Sequence, residues 1–169
     1  MKITELLKDK RILLWGYGLE GKSTEKFINK YCDVAELTVF QGKRDEIDED
    51  AYDYIIKSPG IVAWDLSDKF TSMTDLFLSE FSGQVIGITG TKGKSTTSSL
   101  LYTVLSKCTD RPALLVGNIG LPALDYYGSI TDDTIIVFEM SCHQLAHVGI
   151  SPHIAVFLNL YEEHLDYYK

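Results

Sequence analysis

The chain has 169 residues, 45% of them hydrophobic and 24% charged, which excludes a disordered or fibrous protein and leaves room for one ordinary domain or two small ones. Its formal net charge is -8, so it lacks the overall basic character that a nucleic-acid backbone demands. No apolar run approaches the ~18 residues of a membrane span, and the opening "MKITELLKDK" has no signal-peptide core.

The three cysteines, Cys32, Cys108 and Cys142, lie far apart with no CxxC pair. They read as free thiols of a reducing compartment rather than as zinc ligands. We expect a cytoplasmic protein, monomeric, with no membrane or nucleic-acid partner.

Two segments share one layout, a strand running through glycines into a helix. In the first, Ile12 to Trp15 form the strand and Ser23 to Tyr31 the helix. "ELTVF" predicts a second strand, and "DYIIKSPGI" a third that ends in a Pro59-Gly60 turn. The polar span from Gln41 to Asp53 reads as loop or a solvated helix face. The second segment begins near Gln84, with "QVIGIT" as strand, Gly90 to Gly93 as loop and "KSTTSSLLYTVLSK" as helix. Leu100, Leu101, Val104 and Leu105 give that helix an apolar face. Three further apolar runs, "ALLV", "TIIVF" and "IAVFLNL", complete an alternation that predicts an α/β fold with parallel sheets. We place a boundary near Ser82-Gly83. Residues 1–82 then form a small Rossmann-like domain, and residues 83–169 the first part of a larger P-loop-type domain with no closing helix.

The stretch "GITGTKGKST" does not spell GxxxxGK[ST], because five residues before Gly93 stands Ile88. The chemistry of a phosphate loop survives in the tighter Thr89 to Ser95. Backbone N–H groups at a helix start face an anion. Gly90 and Gly93 permit close approach of the main chain. Lys94 can reach the β- and γ-phosphates of ATP, and the Ser95 hydroxyl can hold Mg2+. Gly90, Thr91, Lys92, Gly93, Lys94, Ser95 and Thr96 are therefore the candidate ATP contacts.

In a parallel sheet, ligands gather beyond the carboxyl ends of the strands. Such ends carry Asn118 after "ALLV", Glu139 after "TIIVF" and Asn159 after "IAVF", with His164 beyond. Glu139 reads either as a magnesium ligand or as a solvated strand-end charge. Taken alone, His164 reads more readily as a surface or packing histidine, and His143, His147 and His153 as structural. Gly16-Tyr17-Gly18-Leu19-Glu20-Gly21 matches GxGxxG, but the second strand ends in Phe40-Gln41 without the acid a dinucleotide ribose requires. Another nucleotide's diphosphate fits this loop better, and a purely structural turn remains open.

These residues together resemble the Mur ligase family of peptidoglycan synthesis. The family's shorter phosphate loop, TGxxGK[ST], stands at Thr89 to Ser95. "GNIGLPAL", "EMSCHQL" and "SPHIAVFLNLYEEHLDYY" are similar to successive family segments, and "GYGLEGKS" and "SPGI" resemble its D-glutamate-adding branch. The resemblance covers essentially the whole chain. It implies an enzyme that moves the ATP γ-phosphate to the carboxylate of UDP-N-acetylmuramoyl-L-alanine, after which the amine of D-glutamate attacks the acyl phosphate. It implies ATP and Mg2+ held by Lys94 and Ser95, with Glu139 as a magnesium ligand and His164 as ligand of a second magnesium. It further implies UDP-sugar contacts at Gly18, Leu19, Glu20, Gln41, Gly60 and Asn118.

Several residues depart from the family pattern. Glu20 stands where a small hydroxyl residue is common, and its charge opposes a diphosphate. Phe40-Gln41 replaces an acid-hydroxyl pair, His143 an aromatic residue, and Glu163 an aspartate. The family's carbamylated lysine would fall beyond Lys169, so the 169 residues are expected not to complete ligation alone. A related ligase of another cell-wall precursor, and a non-catalytic nucleotide-binding module, are the alternatives.

Overall fold

The computed structural model describes residues 1–163 and 165. Apolar runs of four or five residues form strands β1 (Arg11–Trp15), β2 (Glu36–Phe40), β3 (Tyr54–Lys57), β5 (Val85–Thr89), β6 (Ala113–Gly117), β7 (Ile135–Glu139) and β8 (Ile154–Phe157), with β4 a short pair, Phe70–Thr71. The helices are α1 (Ile3–Leu6), α2 (Leu19–Tyr31), α3 (Met73–Phe81), α4 (Lys94–Cys108) and α5 (Cys142–Leu145). Two four-stranded sheets result, in the orders β2-β1-β3-β4 and β6-β7-β5-β8, and every strand pairing in them is parallel. The expected α/β class and parallel sheets are thus borne out.

The period of two along β1 divides its side chains between two faces. Leu13 and Trp15 pack with Ile55 and Ala63 in a small cluster. Ile12 and Leu14 turn the other way, into a core that also holds Val85, Val116, Ile136 and Phe138 of the second sheet. Between the sheets lies α3, whose Met73, Leu76, Phe77 and Leu78 all join that core. Phe77 stacks edge-on against Phe138, with ring centroids 5.6 Å apart. The two sheets therefore share one apolar interior, although the pairing divides between Thr71 and Val85.

Several elements differ from the sequence reading. Helix α2 begins at Leu19, four residues before the predicted start, which puts Glu20 in its first turn. Helix α3 was not anticipated; Ser72 caps it by accepting a hydrogen bond from the Asp75 N–H at 3.1 Å. The Gln41 to Asp53 span holds two 3-10 turns, Arg44–Glu46 and Glu49–Ala51, neither with a buried residue. On α4 the predicted apolar face is only partly used. Leu101 and Leu105 are half-buried on the stripe of buried Ser98, whereas Leu100 and Val104 are 63% and 46% exposed. Leu100 sits two residues beyond Ser98, about 200° around the helix, and so points away from the sheet.

Replacing Phe138 with alanine empties the contact between α3 and β7 and should cost about 3–5 kcal/mol. Both tryptophans, Trp15 and Trp64, precede the second sheet. In urea unfolding, their fluorescence and the far-ultraviolet signal should shift to lower midpoint together. A tryptophan transition left in place would show that the sheets unfold separately.

Candidate functional site

β5 ends at Thr89, and the chain turns through Gly90 to Gly93 before α4 begins at Lys94. Gly90 and Gly93 have φ of +138° and +85°, values that a side chain would strain. A Cβ at Gly90 would also sit 3.1 Å from the Asn159 main chain. Among the described residues no side chain caps α4, whose first-turn N–H groups lie before any i−4 partner within the helix. Lys94 folds back over the loop and donates through Nζ to the carbonyls of Gly90, at 2.6 Å, and Thr91, at 3.0 Å. Ser95 and Thr96 are exposed at the helix start. Lys94, the Ser95 hydroxyl and the first-turn amides of α4 thus lie around one bend, the group types a phosphate loop uses.

Register sets the neighbouring groups. Glu139, at the end of β7, lies abreast of Ile88 in β5 and Gly117 in β6. It is fully buried. Oε1 accepts from the Asn118 side chain at 3.1 Å, and the Asn118 N–H donates to the Glu139 carbonyl at 2.9 Å. Oε2 has no hydrogen-bond partner among the described residues. A buried carboxylate oxygen left bare is costly. It is the kind of group a hard cation would satisfy, so the donor set fits magnesium at Glu139. Among the described residues no cluster of three His, Cys, Asp or Glu side chains gathers to hold a metal, and His164 lies outside them. A cavity of about 770 Å³ opens beside the loop, bounded by Gly90, Thr91, Cys142, Leu145, Phe157 and Tyr161.

The first glycine loop lies at the carboxyl edge of the other sheet. Gly16 has φ +94°, and a Cβ there would meet Ser58 at 2.7 Å, so the turn after β3 packs directly on the loop. Gly18 precedes α2 as an uncapped N-cap, and Leu19, Gln41 and Gly60 are exposed around it. Glu20 is the exception. Its Oε1 accepts from Gln144 Nε2 at 2.5 Å, joining α2 to α5, and its Oε2 is buried without a partner among the described residues. Burial raises its carboxyl above the usual range, against the lowering by Gln144 and Lys57. Lys57, buried at the end of β3, is lowered by burial, with Glu20 opposing; its ammonium donates to the carbonyls of Ser58 and Ile61.

The sequence reading missed the Glu20–Gln144–Lys57 group. A lysine closing an apolar strand, as in "YIIK", was the available signal. Asn118 was expected at the sugar substrate and is found on Glu139. Gly90 to Thr96, Asn118 and Glu139 are brought to one edge of the second sheet, and the Gly18, Glu20, Gln41 and Gly60 set to the corresponding edge of the first.

The described architecture is that of an α/β protein built on two parallel sheets. Residues 88–169 match the Mur ligase middle domain. The chain is 36% identical to a UDP-N-acetylmuramoylalanine–D-glutamate ligase of Listeria monocytogenes, over 99% of its own length and 44% of the relative's. It is 35% identical to a UDP-N-acetylmuramoyl-L-alanine–L-glutamate ligase of Xanthomonas euvesicatoria, over 99% and 43%. The chain thus spans less than half the length of these curated relatives. The crystal structure of a Neisseria UDP-N-acetylmuramate:L-alanyl-gamma-D-glutamyl-meso-diaminopimelate ligase shares the fold at TM-score 0.50 and 19% identity, covering 95% of this chain and 63% of that one. No helix among the described residues is long and apolar enough to cross a membrane.

Glu20 carries a testable pH signature. A carboxyl whose folded pKa lies above its unfolded value binds its proton more tightly when folded. Its contribution therefore falls as pH rises from the ordinary carboxyl value of 4.5 through the raised one. The stability of Glu20→Gln relative to the unaltered chain should increase across that window and level off above it. A difference that stays flat from pH 4 to pH 8, measured by urea unfolding, would exclude a raised Glu20.

Proposed function

We propose that the chain is the sugar-nucleotide and phosphate-loop portion of an ATP-dependent ligase of peptidoglycan precursor synthesis. In this reading the whole ligase joins D-glutamate to UDP-N-acetylmuramoyl-L-alanine, and this portion binds two of its substrates. The observation that carries the reading is the pairing of a glycine loop bearing Lys94 with a buried Glu139 whose second oxygen is bare, on adjacent strands. The family match over residues 88–169 and the names of the relatives support it. Residues 1–82 would take the UDP-sugar through Gly18, Leu19, Gln41, Gly60 and Glu20, the last after leaving Gln144. Residues 83–169 would take ATP.

The chemistry explains why both are needed. A carboxylate is a poor electrophile at pH 7. Transfer of the γ-phosphoryl group makes an acyl phosphate and releases ADP. The glutamate amine then attacks the carbonyl carbon, and the tetrahedral adduct collapses as the C–O bond to phosphate breaks and the amine proton leaves. Two anions must approach each other for the first step, and the Lys94 ammonium would offset their repulsion. Ser95 and Glu139 would hold a magnesium ion, which when bound neutralises phosphate charge. His164 is proposed as ligand to a second one. The loop's first-turn amides orient the triphosphate. Free thiols at Cys32, Cys108 and Cys142 suit a cytoplasmic setting. L-Glutamate is the second reading for the amine, favoured by the Xanthomonas relatives.

Isothermal titration tests the proposal. The chain should bind a non-hydrolysable Mg·ATP analogue, and Lys94→Ala should weaken it at least about tenfold with the melting temperature unchanged. UDP-N-acetylmuramoyl-L-alanine should bind more tightly than UDP. Failure of the unaltered chain to bind the analogue, or equal binding by Lys94→Ala, overturns the reading.

A further inference from the structure

The chain leaving β8 does not depart from the phosphate loop but runs along it. Beyond the last register pair, Thr89 with Phe157, the Leu158 N–H donates to the Thr89 carbonyl at 3.0 Å and the Thr91 N–H to the Asn159 carbonyl at 3.1 Å. The Tyr161 N–H donates to Thr91 Oγ1 at 2.9 Å, and that hydroxyl donates to the Tyr161 carbonyl at 3.2 Å. Between these contacts the Asn159 side chain grips a single residue. The Lys92 N–H donates to Oδ1, and Nδ2 donates to the Lys92 carbonyl, both at 2.9 Å.

We propose that Asn159 is the positioning residue of the phosphate loop, a splint whose carboxamide fixes Lys92 from both sides and so presets the amides that meet the triphosphate. This rests on the reading of the loop as an ATP site. A carboxamide sets a donor and an acceptor side by side in one plane, copying a backbone strand partner. Its grip commits the Lys92 N–H to the protein, and the Thr91 N–H is committed to the Asn159 main chain. The free cradle therefore narrows to the amides that follow Lys92, at Gly93 and the first turn of α4. Gly90 makes the close approach possible, since any side chain there would press on Asn159 and Leu158. A loop with two left-handed glycines is otherwise flexible, and its ordering would have to be met on binding. The splint meets it beforehand.

Amide hydrogen exchange and titration test this on the intact chain. In Asn159→Ala the Lys92 amide should exchange at least about tenfold faster, with the Ile88 and Leu101 amides unchanged. Affinity for the non-hydrolysable Mg·ATP analogue should fall at least about tenfold without a lower melting temperature. Asn159→Asp keeps the acceptor but not the donor, so it should restore Lys92 protection to within about threefold of the unaltered chain. Unchanged Lys92 exchange in Asn159→Ala overturns the splint. Faster exchange with unchanged affinity overturns its positioning role. An unaltered chain that ignores the analogue overturns the ligase reading instead, and the exchange data still decide whether Asn159 braces the loop.

Discussion

Parallel pairing is the constraint from which the rest follows. When all strands of a sheet run the same way, every loop that leaves a strand emerges at one edge. That is why residues as far apart as Gly90, Asn118, Glu139 and Asn159 meet, although 69 positions separate the first from the last. The same rule gathers Gly16, Gln41 and Ser58 at the edge of the other sheet. Register then decides which side chain arrives beside which. A shift of one residue in β7 would turn Glu139 to the opposite face.

Burial of charge gives both edges their chemical character. Glu139 is held without a cationic partner among the described residues, through an amide on one oxygen only. Glu20 is held in a similar way by Gln144, and Lys57 donates to carbonyls rather than to an acid. Such groups are stabilised by hydrogen bonds to one part and left exposed to the field of whatever binds next. The departure of Glu20 from the family's small hydroxyl residue thereby acquires a structural context. It supplies a carboxylate that reaches across to α5, where a short residue would leave Gln144 unmatched.

The bend between β5 and α4 was legible because its signal is local. An apolar strand, two glycines and Lys-Ser at a helix start dictate a particular bend wherever they occur. The strand order along the chain was legible for the same reason, through "VIGIT", "ALLV" and "IIVF". What escaped was tertiary. Ser72 and Asp75 offered a capping signal for α3, but the importance of that helix lies in Phe77 reaching Phe138, 61 residues away. The exposure of Leu100 and Val104 depends on how α4 lies on its sheet, which periodicity alone leaves unset. Glu20 meeting Gln144, 124 residues on, has no trace in either local pattern. Asn159 was readable as a strand-end amide, but not as the partner of Lys92.

The shared interior around α3 also bears on motion. A hinge between the two sheets would have to tear Phe77, Leu76 and Met73 from their neighbours and open a dry interior to water. Separating the sheets would therefore carry the cost of wetting that apolar surface.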